Sequence, residues 1–159
     1  MGTTSTIAEA IRTKIKALHH HEQIPATPPA TGTIEGPEIL YFPDVWIGMP
    51  PKIPMGTRNV CIIELSQEPT FYYSTCPELT QNDRDYNITI MSKGSPETAH
   101  LNCYDLTDLV KTNLLTDPKI STTCADSTIE TVIYGDIIDT GGDNKNLITA
   151  SRITLRCKK

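Results

Sequence analysis

The chain lacks the signatures that announce chemistry. It has no Cys-x-x-Cys pair, no Gly-x-Ser-x-Gly nucleophile elbow and no lysine-bearing phosphate loop, which removes the most readable metal, hydrolase and nucleotide sites. It lacks a basic excess: a net charge of −5 with acids and bases interspersed offers no field to neutralise a phosphate backbone. No apolar run approaches the ~18 residues of a membrane span. The opening residues are Gly, Thr and Ser where a secretory leader would need a charged start and an apolar stretch, so the expectation is a soluble protein made in the cytoplasm.

Cysteine is present but unsuited to a disulfide framework. Positions 61, 76, 103, 124 and 157 make an odd set at irregular spacing. Cys61, Cys103 and Cys157 stand where the pattern demands apolar residues, and so read as small buried hydrophobes in a reducing compartment. With 159 residues and 17.6 kDa, the chain can bury roughly two thirds of its unfolded surface, enough for one core without staples. A single domain over 1–159 follows.

The last half is the most legible part. Tyr86, Ile88 and Ile90 alternate with Asn87, Thr89 and Met91, as a half-buried strand requires. Ser95-Pro96-Glu97 reads as an N-cap, a first-turn proline and an acid at the positive end of a helix. Ala99, Cys103, Leu106, Val110 and Leu114 then form one apolar stripe. Asp117-Pro118 stops that helix. Ile129 to Ile138 and Leu147 to Cys157 read as two strands joined by a turn at Gly141-Gly142-Asp143-Asn144.

Upstream the signals are mixed. Thr6-Ile7-Ala8-Glu9 has the form of a capping box, and Ile7, Ile11, Ile15 and Leu18 share a face, so a helix is expected over about 7–20 with His19-His20-His21 at its end. From 23 to 57 the prolines Pro25, Pro28, Pro29, Pro37, Pro43, Pro50, Pro51 and Pro54 exclude a continuous helix or a central strand and imply an extended arm or a long ordered loop. Yet this stretch also holds Ile39, Leu40, Tyr41, Phe42, Val45, Trp46 and Ile47, a cluster that a solvated linker does not carry. It folds back as a short edge strand or docks on a neighbouring subunit. Residues 58–159 supply the sheet and central helix: Val60 to Leu65 is an interior strand, Phe71-Tyr72-Tyr73 begins its antiparallel partner, and Gln81-Asn82-Asp83-Arg84 is the turn before the Tyr86 strand.

Possible reactive groups fail on context. His100 and Cys103 share a helix face but have no further paired ligands. Asp105 and Asp108 read as solubilising acids on a solvated face. No cofactor and no metal site is expected, and no catalytic residue is assigned. The terminal strand is unusual in its length, since eleven residues would span about 36 Å, implying either a bulge near Ser151 or pairing beyond the domain. Its Ile153, Leu155 and Cys157 face one way, with Arg152, Thr154 and Arg156 facing the other.

Taken together, Ile7 to Leu18, the strand Val60 to Leu65, the Arg-x-Tyr-x-Ile-x-Ile strand within Arg84 to Met91, the Leu-Leu-x-Asp-Pro stop at Leu114 to Pro118, and Ala-x-x-Ile-x-Leu-x-Cys at Ala150 to Cys157 resemble the tail terminator proteins of tailed bacteriophages. The resemblance covers most of the chain, while the proline-rich part from Ile24 to Met55 is longer and more aromatic than the simplest members need. It implies an α/β (α+β) fold: a mixed or mainly antiparallel sheet with two helices packed on one side, to which the residues add the proline-rich arm. It also implies a hexameric ring that caps the tail tube and joins the tail to the head connector or stopper protein, in the virion neck, with DNA passing through the lumen and no membrane partner. Other head–tail completion proteins, tail-tube-like subunits, or a small monomeric enzyme or ligand-binding domain are the competing readings. In a ring, Tyr41, Phe42 and Trp46 are the expected aromatic contacts, and Arg152 and Arg156 are expected to meet acids on a neighbour.

Overall fold

The computed structural model describes residues 3–51, 59–68, 70–73, 76–138 and 147–158. Among them the chain forms two helices and nine strands, an α+β fold. A five-stranded mixed sheet is built from β3 (Asp44–Ile47), β4 (Asn59–Gln67), β7 (Arg84–Gly94), β9 (Leu147–Lys158) and β8 (Asp126–Ile138), side by side in that order. β3 runs parallel to β4, and every other pairing is antiparallel. Two small two-stranded sheets stand apart: β1 (His19–Pro25) with β2 (Thr33–Leu40), and β5 (Thr70–Tyr73) with β6 (Cys76–Asn82).

The core lies on one face of the large sheet. Register places Ile63 beside Ile88 and Ile88 beside Ile153, with Tyr86 beside Leu155, so alternate residues of three strands line up as one apolar surface. Helices α1 (Thr3–Lys16) and α2 (Pro96–Leu115) cover that face, burying Ile7, Ile11 and Ile15 from one and Leu106, Val110 and Leu114 from the other. Ser151 occupies a core-facing position, and its hydroxyl lies 2.6 Å from that of Thr107, which also donates to the Cys103 carbonyl. A buried hydroxyl is tolerated there because it is partnered. The opposite face carries a smaller cluster of Val60, Ile62 and Met91.

Several expectations are corrected. The first helix begins at Thr3 and ends at Lys16, so Thr6 lies within it and is no cap; Tyr86 donates its hydroxyl to the Thr4 carbonyl and Arg84 its Nε–H to the Thr4 hydroxyl, anchoring the extra turn. His19, His20 and His21 are strand residues of β1. Of the 23–57 stretch, the described part is hairpin and the short edge strand β3, the fold-back alternative; its 52–57 portion lies outside the described residues, as does the turn at Gly141 to Asn144. The antiparallel partner of β4 is β7, whereas Phe71 to Tyr73 pairs locally with β6. Asn82 ends β6 and only Asp83 separates it from β7. Finally, β9 has no bulge near Ser151. It is long because both neighbours are long, pairing from Leu147 to Cys157 with β7 and from Leu147 to Lys158 with β8, and the irregularity falls on β8 between Ile129 and Thr131.

Two further ties close the domain. Lys14 reaches Asp117 at 3.1 Å, joining α1 to the turn that follows α2. Asp117 also accepts from the Ser121 backbone N–H, and this hydrogen bond, ahead of Lys14, holds its carboxyl below the usual range. The chain then turns through three consecutive left-handed residues, Ile120, Ser121 and Thr122, with φ of 43°, 55° and 65°, a conformation that costs non-glycine residues roughly 1–2 kcal/mol each.

Candidate subunit interface

The proline-rich segment delivers its aromatics to different places. Phe42 is 0% exposed and packs within the helix-covered core of its own chain, so it has no surface to offer a neighbour. Tyr41 is half-buried: its ring lies 4.7 Å from that of His20, and its backbone N–H donates to the Leu18 carbonyl. Trp46 is 36% exposed on β3, paired with Ile62 on the face away from the helices. Of the three, Trp46 leaves the most apolar surface in reach of a partner, and Ile47 and Met49 beside it are also exposed.

The two arginines separate just as clearly. Arg156 donates Nε–H and Nη2–H to the two oxygens of Asp85 at 2.8 and 2.9 Å, a bidentate pair, with Glu130 at 3.7 Å. Asp85 is 1% exposed and also accepts from Gln67 at 2.7 Å. The Arg156 hydrogen bond holds its carboxyl below the usual range; burial pushes the other way, and Gln67 adds to the lowering. The same pair raises Arg156. The acid expected on a neighbour is therefore supplied to Arg156 from within the chain. Arg152 is exposed and makes no ion pair among the described residues.

Arg152 borders a cavity of about 300 Å³ lined also by Thr89, Ile133, Tyr134, Gly135, Asp136, Ala150 and Ser151. A side chain at Gly135 would meet nothing within 4 Å, so the glycine and the small Ala150 beside it in register leave the notch open. Ile133 is 61% exposed and Tyr134 half so, the latter edge-on to Tyr104 of α2 at 5.1 Å. Sequence reading assigned these residues to a strand and gave them no role. The available signal was the run Thr131-Val132-Ile133-Tyr134, β-branched and aromatic with no lysine or proline, which is what an edge shielded from association avoids.

The rejected reactive groups stay apart. His100 contacts Asp136 at 2.9 Å at the surface, whereas Cys103 is fully buried against the sheet. Asp108 pairs with Lys111. Among the described residues no group of three potential metal ligands converges, and no helix is long and apolar enough to cross a membrane. Burial pushes the Cys61 thiol up to about 12, and Cys157 is raised by its hydrogen bond to Cys124 and by burial. Cys61, Cys103, Cys124 and Cys157 are buried and unbridged.

A scan against models of known protein families finds none that matches this chain, and a search of curated proteins finds no match.

Proposed function

We propose that the chain is a structural subunit of a phage neck, a tail terminator that forms a ring, stops growth of the tail tube and joins the tail to the head connector. The resemblance points to this role. The observation that supports an assembling protein over a chemical one is the distribution of unpartnered surface: a β1–β2 hairpin with nearly all its residues exposed, an exposed Trp46 on one edge strand of the large sheet and, at the opposite edge, a β8 with no strand beyond it among the described residues. Contacts of different surfaces, head to tail, close into rings when the rotation allows. A terminator further needs one face that accepts the tube and one that refuses another tube subunit.

Particles assembled without this chain, viewed by electron microscopy, should carry tails of uncontrolled length that are not joined to heads. Tails of normal length attached to heads would overturn the reading.

A further inference from the structure

The large sheet treats its two edges differently. At one side β3 is four residues long, with Pro43 before it and Gly48, Pro50 and Pro51 after it, which are devices that blunt an edge. At the other side β8 runs for 13 residues, and among the described residues no strand pairs beyond it. Past the irregularity at Ile129/Thr131, its last eight residues, Thr131 to Ile138, contain no proline and no lysine. Every second one of these residues points its N–H and C=O away from β9, so about four of the eight offer unpaired donors and acceptors, a template for another strand.

The β1–β2 hairpin has the complementary deficiency. It is held at its root, where Tyr41 bonds Leu18 and His20 stacks on Tyr41, but nearly all its residues are exposed, Ile24, Ile34, Ile39 and Leu40 included. An isolated two-stranded hairpin is at best marginally stable in water. Within it β2 is interrupted at Gly36-Pro37, where a Cβ on Gly36 would come within 2.8 Å of the Glu22 carbonyl. The ladder shifts register between His21 and Gln23, two residues of β2 standing against Glu22, and β1 runs on to Pro25. Its own chain's β8 is out of reach, because the hairpin leads into β3, four strand spacings or about 19 Å from β8 across the sheet.

Charge favours the same match. From Ala17 to Pro51 the chain has Glu22, Glu35, Glu38 and Asp44 and no lysine or arginine. The acids of β8 are already answered in their own subunit, Asp126 by Lys158, Glu130 by Arg156 and Asp136 by His100, and in the hairpin Glu35 lies against His21 and Glu38 against His19, whereas Glu22 of the hairpin and Arg152 beside the notch make no ion pair among the described residues. An acidic hairpin carrying exposed isoleucines thus suits a surface with an unanswered arginine next to an apolar notch.

From these observations we infer that β1 of one copy adds to the open edge of β8 in the next, with hairpin isoleucines at the Ile133–Gly135 notch and a hairpin glutamate on Arg152. The contact joins two different surfaces, so it propagates head to tail and closes as a ring. It rests on the ring reading above and specifies its interface.

Hydrogen exchange of the full chain, measured as light scattering follows its mass with concentration, tests this. Assembly should slow exchange of 131–138 and 19–24 together, by at least about tenfold. Ile133→Lys, at an exposed position that leaves the fold intact by circular dichroism, should abolish both the slowing and the mass increase. Slowing of 131–138 alone with a dimer mass would mean that β8 pairs with β8, and slowing of 70–82 in place of 19–24 would assign the contact to the other hairpin; either overturns the inference. A ring that leaves both segments unchanged also overturns it while leaving the ring standing, and a chain monomeric to about millimolar concentration overturns this contact without touching the tail phenotype.

Discussion

Replacing Arg156 with Met tests whether the basic face of the last long strand works within the subunit. Exposed ion pairs contribute about 0–1 kcal/mol, but this one is not of that kind: Asp85 is 1% exposed and takes two of its three hydrogen bonds from Arg156, itself only 25% exposed. Arg156→Met keeps the aliphatic bulk and leaves a buried carboxylate with Gln67 alone, a loss of about 3 kcal/mol from a domain whose total stability is about 5–15 kcal/mol. The pH dependence gives a second handle. Because the folded-state pKa of Asp85 is depressed, its stabilising contribution is fully present above the unfolded value of about 3.9 and is lost as pH falls through the lower folded value. In Arg156→Met burial is opposed by Gln67 only, so Asp85 takes up its proton at higher pH and the penalty shrinks on acidification. Urea unfolding followed by the fluorescence of Trp46, the sole tryptophan, should show a gap between the two proteins that is largest near pH 7 and smaller near pH 4. A gap below about 1 kcal/mol, or one equal at both pH values, would refute this account of the pair.

The aromatics should separate in the same way. Phe42→Ala should cost about 3–5 kcal/mol and threaten folding, whereas Trp46→Ala, at a side chain 36% exposed, should cost less, about 2 kcal/mol, and leave the circular dichroism spectrum intact while reducing incorporation into particles; equal losses from both would contradict their placement. Thiol titration should find Cys61, Cys103, Cys124 and Cys157 slow to react in the native chain and five free thiols per chain after denaturation without reductant, and fewer than five would indicate a bridge. Thr122→Gly, at an exposed residue with φ of 65°, should raise stability by about 1 kcal/mol in chemical denaturation; a destabilised variant would show that the left-handed turn is not strained there.

Where a segment packs on the core, its period was readable. Ala99, Cys103, Leu106, Val110 and Leu114 are all buried on α2, and Ile88, Ile90, Ile153 and Leu155 all face the helices, because burial is what imposes the period. The β1–β2 hairpin was unreadable for the converse reason. It buries almost nothing, so no alternation marks it, and Pro25 and Pro37 argue against a strand although both sit where the ladder is ending or irregular. Phe42 and Trp46, four residues apart, looked like one cluster; the core claims the first and the sheet's edge strand carries the second. Of the candidate interface, the arginine positions could be placed on a strand face, but Asp85 lies 71 residues from Arg156 in sequence, and no local pattern announces such a pairing. The openness of β8 is a property of strand order, which depends on pairings distant in the chain.

That order also bears on synthesis. β9, which follows the other described strands in the chain, sits between β7 and β8, so for as long as it is missing the sheet is divided and β8 has no neighbour. Loop-closing pairings between distant strands are slow to form and leave edges exposed meanwhile. A growing chain paused after Ile138 would present β7 and β8 edges together on a ribosome surrounded by identical nascent chains. Emergence of 147–158 is the event that commits the domain, and messages truncated ahead of it should yield aggregates, with no partly working subunit among the products.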